Sequence, residues 1–248
     1  MRSRAVLCSC LLLSACSLAR FQAHADRNLT ESAQGLTGIE CSSHNGDISV
    51  VGVRGQQQVA IAARLSARGD SEIDAIANVA RLEVAVVRSN GVLRIEGKVP
   101  EDFGWRFSPS FAFVLEVPAE LAATLTSHNG DLAVRGLDGR LVATTHNGRI
   151  TADTGADALQ VRTHNGDVQL DLAGGGSVAG AVTTHNGSIE VDLGQRAAVV
   201  EASTHNGGLS AVRAFAQLEQ RDNWLCGRTG QGGGRLQLDT HNGSVTIR

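Results

Sequence analysis

Short runs in which apolar and polar residues alternate cover most of the chain after residue 36, and many of them are interrupted by the tripeptide His-Asn-Gly. A period of two is typical of a β-strand with one buried face. Counted from the histidine, positions −3, +4 and +6 carry aliphatic or small residues, but this period breaks between −1 and +4. The pattern therefore predicts a strand on each side of the motif and a change of face at the motif itself.

The motif occurs seven times, contains seven of the eight histidines, and is preceded each time by Ser or Thr. From His128 to His205, consecutive histidines are separated by 18, 18, 21 and 20 residues. Self-similarity at such a period indicates a stack of like units, and about 20 residues hold two or three short strands with their turns. The copies are His44-Asn45-Gly46, His128-Asn129-Gly130, His146-Asn147-Gly148, His164-Asn165-Gly166, His185-Asn186-Gly187, His205-Asn206-Gly207 and His241-Asn242-Gly243.

Two geometries produce this change of face. In a β-hairpin, Asn-Gly forms a type I′ loop and position −1 pairs with +4. In a solenoid corner, Gly takes a positive φ and Asn tolerates a left-handed conformation, while like residues of successive coils stack about 4.8 Å apart and can form polar ladders. A hairpin has no reason to fix His and the preceding Ser/Thr. The sequence therefore favours an all-β parallel β-helix or solenoid of about ten coils of roughly 20 residues, with a meander of β-hairpins as the alternative.

The start of the chain has the features of a bacterial lipoprotein signal. Residues 1–15 begin with basic residues and continue into an apolar run that is too short to span a bilayer. This run leads into Leu13-Ser14-Ala15-Cys16, which resembles a lipobox, so Cys16 is the expected lipid-modified first residue. Residues 16–36 are then the expected tether, and residues 37–248 the solenoid domain. Ordinary secretion, with cleavage after Ala23-His24-Ala25, is the alternative.

A lipid-modified Cys16 places the protein in the cell envelope, anchored to a membrane. Gram-negative lipoproteins that are retained in the inner membrane resemble one another in having Asp directly after the lipid-modified Cys. This chain has Ser17 at that position, which favours the outer membrane, facing the periplasm or the surface. The net charge of −3 and the absence of a Lys/Arg cluster from the sequence do not indicate nucleic-acid binding.

Cys41 and Cys226 are the cysteines that remain after processing. Because they belong to opposite ends of the predicted stack, roughly 40 Å apart, and a disulfide needs Cα atoms within roughly 7 Å, we expect two free thiols, with Cys41 buried at a −3 position.

Two segments depart from the repeat. Residues 99–113 are rich in aromatics, either as a plug for an end or side of the solenoid or as an exposed binding patch, and Ser71 followed by Glu72 to Ala80 fits a short capped helix. Residues 215–234 read as an inserted loop. Because long loops on rigid scaffolds often carry specificity, the loop is a candidate binding site through Arg221, Trp224 and Arg228.

The units Thr-Ser-His-Asn-Gly-Asp-Leu-Ala-Val (126–134) and Thr-His-Asn-Gly-Ser-Ile-Glu-Val (184–191) resemble those of the bacterial β-strand-repeat envelope proteins called "putative adhesin". The resemblance covers about residues 36–248. It implies a β-helix-like fold and a surface-adhesion role, and it carries no catalytic residues, cofactor or metal to transfer. Histidine in every unit is a departure from many members, so a function based on histidine would be particular to this chain.

A residue repeated in every coil serves the stack rather than one tuned catalytic constellation. The sequence therefore predicts a non-enzymatic envelope protein that binds a protein or glycan partner, with no cofactor. Two alternatives stay open: a polysaccharide-acting β-helix enzyme, supported by fold analogy alone, and a metal-binding histidine ladder. The predicted role of the histidines themselves is to cap the corners by hydrogen bonds to the neighbouring coil or to solvent.

Overall fold

A computed structural model describes residues 21–248 of the chain. Within this range there are twenty-one strands, one α-helix and one 3-10 helix, and neither helix is long and apolar enough to cross a membrane. The elements are β1 (Phe21–Ser32), β2 (Gly38–Asn45), β3 (Ile48–Val53), β4 (Gln58–Gly69), α1 (Glu72–Ala80), β5 (Glu83–Ser89), β6 (Val92–Lys98), the 3-10 helix (Trp105–Phe107), β7 (Ser110–Pro118), β8 (Ala122–Asn129), β9 (Leu132–Leu137), β10 (Leu141–Thr144), β11 (Ile150–Thr154), β12 (Ala158–Arg162), β13 (Val168–Leu172), β14 (Ala179–Asn186), β15 (Ile189–Asp192), β16 (Ala198–Asn206), β17 (Leu209–Ala211), β18 (Ala216–Arg221), β19 (Trp224–Thr229), β20 (Gly234–Asn242) and β21 (Val245–Ile247).

The strands form two long sheets that face each other across one core. Sheet I has the order β1-β4-β7-β3-β9-β11-β13-β15-β21-β17, and sheet II the order β18-β19-β16-β20-β14-β12-β10-β8-β2-β6-β5. Eight strands of each sheet are parallel to their neighbours, so the stack contains eight parallel coils flanked by antiparallel strands. This confirms the predicted all-β solenoid.

Each His-Asn-Gly motif is a corner at which the chain leaves sheet II and enters sheet I. The strand before the motif, such as β8, and the strand after it, such as β9, lie in different sheets. The hairpin alternative is therefore wrong. Position −3 pairs with position −3 of the next coil, as Leu125 does with Ala143 and Ala143 with Val161, so like residues form columns.

The columns explain the apolar pattern of the sequence. Val161, Val168 and Leu170, at positions −3, +4 and +6 of one unit, are each 1% exposed. The corresponding residues of the other coils belong to the same core cluster, except Leu209 and Ala211, which are partly buried and pack against it. The Ser or Thr at position −1 shares this parity and is also buried. These hydroxyls therefore face inward.

The last coil lies out of chain order. β20 and β21 lie between the coil of β14 and β15 and the coil of β16 and β17, so His241 stacks between His185 and His205. The hairpin β18–β19 explains this path, since β19 pairs antiparallel with the outer edge of β16. With that edge occupied, the chain returns to the inner edge of β16.

The same hairpin corrects the prediction for residues 215–234. This segment is not an inserted loop, because most of it forms β18 and β19, which extend sheet II at one end of the stack. Cys226 lies in β19, seven strands away from β2, which contains Cys41, a separation of roughly 34 Å. Both thiols are free, as predicted, and burial raises the pKa of Cys41.

The other end of the stack is closed by non-repetitive segments. Phe103, Phe111 and Phe113 are 4%, 3% and 1% exposed, which confirms their interpretation as a plug. The predicted helix is also present as α1, whose N-cap Ser71 accepts a hydrogen bond from the Asp74 backbone N–H at 3.1 Å. α1 packs on β4 and β1.

The tether prediction is wrong from residue 21 onward. Phe21–Ser32 forms β1, which pairs antiparallel with β4 along its whole length and is the edge strand of sheet I. Its polar composition led to the error, because an edge strand with little buried area has no apolar alternation to reveal it. The signal sequence and Cys16 lie outside the described residues.

The glycine of each motif is required by close approach between coils. A Cβ atom on Gly148 would lie within 3.0 Å of the carbonyl oxygen of Gly130 on the preceding coil, closer than real Cβ atoms come. The equivalent contact exists at every other corner, with Phe111 as the neighbour of Gly46. The expected positive φ is not general: it is found at Gly46, Gly187 and Gly243, with φ 128°, 158° and 157°, and not at the other four corners. The asparagines of the motif are not left-handed.

Gly148→Ala should therefore destabilise the whole stack. The new methyl group meets the backbone carbonyl of Gly130, and this clash cannot be relieved by a side-chain rotation, so we expect a loss of about 3 kcal/mol in the free energy of unfolding. Urea denaturation monitored by circular dichroism measures it. The matched control is Gly175→Ala, where the added Cβ has nothing within 4 Å. Equal stability of the two variants would contradict this role of the corner glycine.

Candidate functional site

The residue before each histidine holds its corner to the neighbouring coil. Its hydroxyl donates a hydrogen bond to the glycine carbonyl of the adjacent corner, as from Thr163 to Gly148 at 2.9 Å. The seven bonds measure 2.8–3.2 Å, and that of Ser43 goes to Phe111 instead of a glycine. Position −1 is polar although it faces the core, because a buried carbonyl without a partner would cost free energy.

The asparagines form an amide ladder along the corner. Each Nδ2 donates to the Oδ1 of the adjacent asparagine at 2.7–2.8 Å, and the ladder starts with Asn45 Nδ2 donating to the Pro109 carbonyl at 3.2 Å. The amide is the side chain that can both donate and accept along one axis. This confirms the polar ladder predicted from the repetition, with Asn as its member.

Residues at position +3 add a further connection where they are acidic. The Asp131 backbone N–H donates to the Asp47 carboxylate at 2.8 Å, and the Arg149 N–H donates to Asp131 at 2.7 Å. These carboxylates are exposed and accept hydrogen bonds from the backbone of the adjacent coil. They form a solvated edge of the stack, and they are not arranged as an acid–base pair.

The seven histidines stack in one row on the outside of the corner. We call the set, in spatial order His44, His128, His146, His164, His185, His241 and His205, the histidine row. Neighbouring ring centroids are 4.7–5.0 Å apart, with interplanar angles of 5–32°. All seven residues are exposed, and six such steps give a row roughly 29 Å long.

The histidines stack on each other, and their predicted role in capping the corners by hydrogen bonds stays a prediction. The carbonyl and amide groups of the corner are held by the Thr and Asn side chains, and the imidazole rings contact each other through their faces. A stacked ring has its nitrogens at its edge, so the row presents a repeated series of nitrogen donors and acceptors to the outside.

A shallow cavity of about 510 Å³ adjoins the middle of the row. It is lined by four imidazoles, from His128 to His185, and by the side chains of Thr144, Arg162 and Thr183 at position −2 on sheet II. The cavity therefore combines imidazole nitrogens, hydroxyl groups and one guanidinium. A lining of this kind offers a series of hydrogen-bonding groups to an extended ligand.

Neighbouring charges act on the centre of the row. Partial desolvation lowers the pKa of His164, and His185, His146 and Arg162 lower it further, because each positive charge disfavours the next. Protonation of the central imidazole is thus opposed by its own neighbours.

The geometry does not favour the metal alternative. The lone pairs of stacked imidazoles point in the same direction from neighbouring rings, whereas a shared ion requires them to converge at about 2.0–2.1 Å. Among residues 21–248, no group of three or more His, Cys, Asp or Glu side chains is arranged to hold a metal ion.

The second predicted site lies at the end of the stack, in the hairpin β18–β19. Arg221 and Trp224 flank its two-residue turn, and the guanidinium lies 5.8 Å from the indole ring centre. Trp224 Nε1 also donates to Glu201 at 3.2 Å. Arg228 is on β19, four residues from Trp224, and its Nε is buried without a hydrogen-bond partner. The structure thus places all three residues on one hairpin, away from the middle of the row.

One row of ionisable residues was missed by the sequence analysis. Asp153, Asp171 and Asp192 are paired in register on three neighbouring strands of sheet I, with exposed side chains. Desolvation raises the pKa of Asp171, and Asp153 and Asp192 raise it further. The signal was present, since all three lie at position +7 of their units.

These features define a class of protein: a two-sheet parallel β-solenoid whose coils are joined by side-chain ladders at one corner. Residues 28–248 match the model of the Toastrack DUF4097 family, and the chain belongs to this family. The resemblance to β-strand-repeat proteins is thereby confirmed. No curated protein matches the chain significantly.

Several solved structures are similar in fold. A "putative cell adhesion protein" from Clostridium sporogenes ATCC 15579 has 9% identity and a TM-score of 0.49, over 91% of this chain and 99% of that chain. A "putative adhesin" from Bacteroides fragilis NCTC 9343 has 11% identity and a TM-score of 0.43, over 93% and 99%. A "putative lipid binding protein" from Parabacteroides distasonis ATCC 8503 has 9% identity and a TM-score of 0.31, over 91% and 96%. These values carry no information about function.

The histidine row should make the fold sensitive to acid. Because the pKa of His164 is lowered in the folded state, the unfolded chain binds more protons once the pH falls through the unfolded value of about 6.5. The stability is then full above that pH and declines below it. Calorimetry from about pH 7.5 to about pH 5 should show a falling thermal midpoint, and NMR titration should give an upward shift of the His164 pKa in His146→Gln/His185→Gln. A flat midpoint would contradict the effect.

Proposed function

We propose that this protein is a non-enzymatic, lipid-anchored protein of the bacterial cell envelope that binds an extended glycan or protein partner. The observation that carries the proposal is how the repeated residues are used. Thr, Asn and Gly hold the coils together, and the repeated residue left facing outward is a histidine that forms a row instead of a single reactive centre. A rigid rod with one periodic polar face is suited to binding along its length.

The anchor is proposed from the lipobox-like Leu13-Ser14-Ala15-Cys16. An acylated cysteine of this kind carries more than one acyl chain, and two membrane signals suffice for stable anchoring. Ser17 favours the outer membrane. The position of β1 is compatible with the anchor, because the described fold begins only five residues after Cys16.

Cys16→Ser should produce a precursor that keeps its signal peptide and carries no lipid. Without the thiol no lipid can be attached and the signal peptide is not processed at this site, so the acylated N-terminal peptide should be absent by mass spectrometry. Fractionation should show the wild type in the membrane pellet and in detergent extracts. Cys226→Ser, which alters a thiol at the far end of the rod, is the control. A wild-type chain cleaved after Ala25 would reject the anchor.

The binding surface is proposed to be the histidine row with its adjoining cavity. Imidazole edges, the Thr144 and Thr183 hydroxyls and the Arg162 guanidinium can all hydrogen-bond to sugar hydroxyl or carboxyl groups. A linear glycan repeats along its length, as the row does. Many weak contacts of one kind then add up over several coils.

Replacing the central histidines should weaken glycan binding. We expect His146→Gln/His164→Gln to reduce affinity about tenfold, or about 1.4 kcal/mol, for polysaccharide isolated from the envelope, measured by calorimetry. Thr151→Asn/Gln169→Asn, on the outward face of sheet I, is the matched control. If Trp224→Ala abolishes binding and the histidine variant does not, the hairpin is the binding site. If neither variant has an effect, the glycan proposal fails.

The enzymatic alternative has one observation in its favour, the raised pKa of Asp171 between Asp153 and Asp192. These carboxylates stand on the outward face of flat strands, whereas glycoside hydrolysis requires two carboxylates on opposite sides of a bound sugar. The binding function is therefore the better supported of the two.

A further inference from the structure

The helix α1 has two apolar faces, and only one of them is used by the fold. Ala75 and Val79 are buried against the core. On the other side, the apolar residues are spaced i, i+3, i+4 and i+7, which places them in one stripe of a helix. They are Ile73, Ile76, Ala77 and Ala80, all exposed, with Ile73 79% and Ile76 55% accessible.

The first strand brings the start of the fold to this helix. Phe21 pairs with Gly69, two residues before the N-cap Ser71. The helix lies directly on that strand end, because a Cβ on Gly69 would collide with the backbone of Ala75. Phe21 is itself 46% exposed. An exposed aromatic side chain and the exposed stripe of α1 thus lie at the same end of the rod.

The proposed anchor lies within reach of the same place. Cys16 precedes Phe21 by five residues, and a fully extended chain of that length spans at most about 18 Å. Acyl chains on Cys16 would therefore enter a bilayer within this distance of Phe21. The lipid anchor keeps the bilayer at a high effective concentration near Phe21 and α1. Even a weak attraction between this surface and the bilayer is then sufficient for contact.

We propose that the exposed stripe of α1, together with Phe21, rests on the lipid bilayer and sets the direction of the rod relative to the membrane. This inference rests on the proposed lipid anchor. Among the possible occupants, a bilayer is favoured over a second copy or another protein because the anchor brings the bilayer there in every molecule. Contact through Ile, Ala and Phe side chains suits the boundary between headgroups and acyl chains.

The charges around the stripe specify the kind of lipid surface. Two guanidinium groups near the stripe are paired within the fold: Arg81 with Asp102 at 2.5 Å and Arg106 with Asp70 at 2.8 Å. The first turn of α1 adds two acidic residues, Glu72 and Asp74. An anionic surface is attracted by clusters of unpaired basic residues, so this contact is apolar and suits zwitterionic headgroups.

Contact between α1 and the bilayer determines how far each part of the rod lies from the membrane. Sheet II runs from β5 at this end to β18 at the other, a length of roughly 48 Å. The histidine row begins with His44 on the near side and ends with His205 on the far side. The Arg221–Trp224 hairpin is then the part of the rod farthest from the membrane.

The test measures the depth of two labels in the mature chain, purified from cell membranes and reconstituted into vesicles of phosphatidylethanolamine with a minor fraction of phosphatidylglycerol. An environment-sensitive fluorophore is attached at Ile76→Cys or, as control, at Val212→Cys, a 68% exposed position beyond β17. Cys226→Ser removes the accessible background thiol, and Cys41 is buried. We expect a blue-shifted emission and several-fold stronger quenching by a bilayer-embedded quencher at position 76 than at position 212.

The outcomes separate this inference from the anchor. One outcome is that mass spectrometry shows an acylated N-terminal peptide while the label at position 76 is quenched no more than that at position 212. In that case the contact between α1 and the bilayer is rejected and the lipid anchor stands. If position 76 is shielded from aqueous iodide but not reached by the bilayer quencher, a second copy or another protein covers the stripe, which also rejects it. If the mature chain carries no acyl group, the lipid anchor is rejected, and the proposed contact between α1 and the bilayer is rejected with it.

Discussion

The close contact between successive corner glycines is the constraint on which the other interactions depend. No side chain fits between one Gly and the carbonyl of the next, so the corner backbones can approach to the strand spacing of about 4.8 Å. Only at that spacing does a Thr hydroxyl reach the neighbouring Gly carbonyl, as Thr163 reaches Gly148 at 2.9 Å. The amides of Asn147 and Asn165 meet at 2.7 Å for the same reason. The motif and the Thr before it thus act together: Gly sets the distance between corners, and the Thr and Asn side chains form hydrogen bonds across that distance.

The same spacing determines what the histidines can do. At 4.8 Å between His146 and His164 the rings are in stacking contact, which leaves their edges accessible and prevents their lone pairs from converging. It also brings like charges together when the rings are protonated, which contributes to the lowered pKa of His164. The row therefore presents a hydrogen-bonding edge, and protonation of His164 at its centre is disfavoured.

The sequence was sufficient for the features that repeat and insufficient for those that do not. The period predicted the parallel solenoid and a polar ladder between its coils, because in a stack each residue meets its own copy. It did not predict β1 or the insertion of the His241 coil between those of His185 and His205, since these depend on pairing between segments without a shared pattern. The expected positive φ holds at only three of the seven corner glycines, because the contact that requires glycine lies between coils.

A perfect repeat has no means of distinguishing its two ends, so the polarity of the rod must come from the segments outside it. At one end, β1, α1 and the buried Phe103 close the core, and β1 carries charged residues along its free edge, which discourages pairing with another chain. At the other end, β17 is only three residues long, and the hairpin β18–β19 extends sheet II alone. The ends therefore differ in apolar exposure as well as in shape. A function in which one end of the rod lies on a surface and the other end points away from it therefore depends on this difference between the ends.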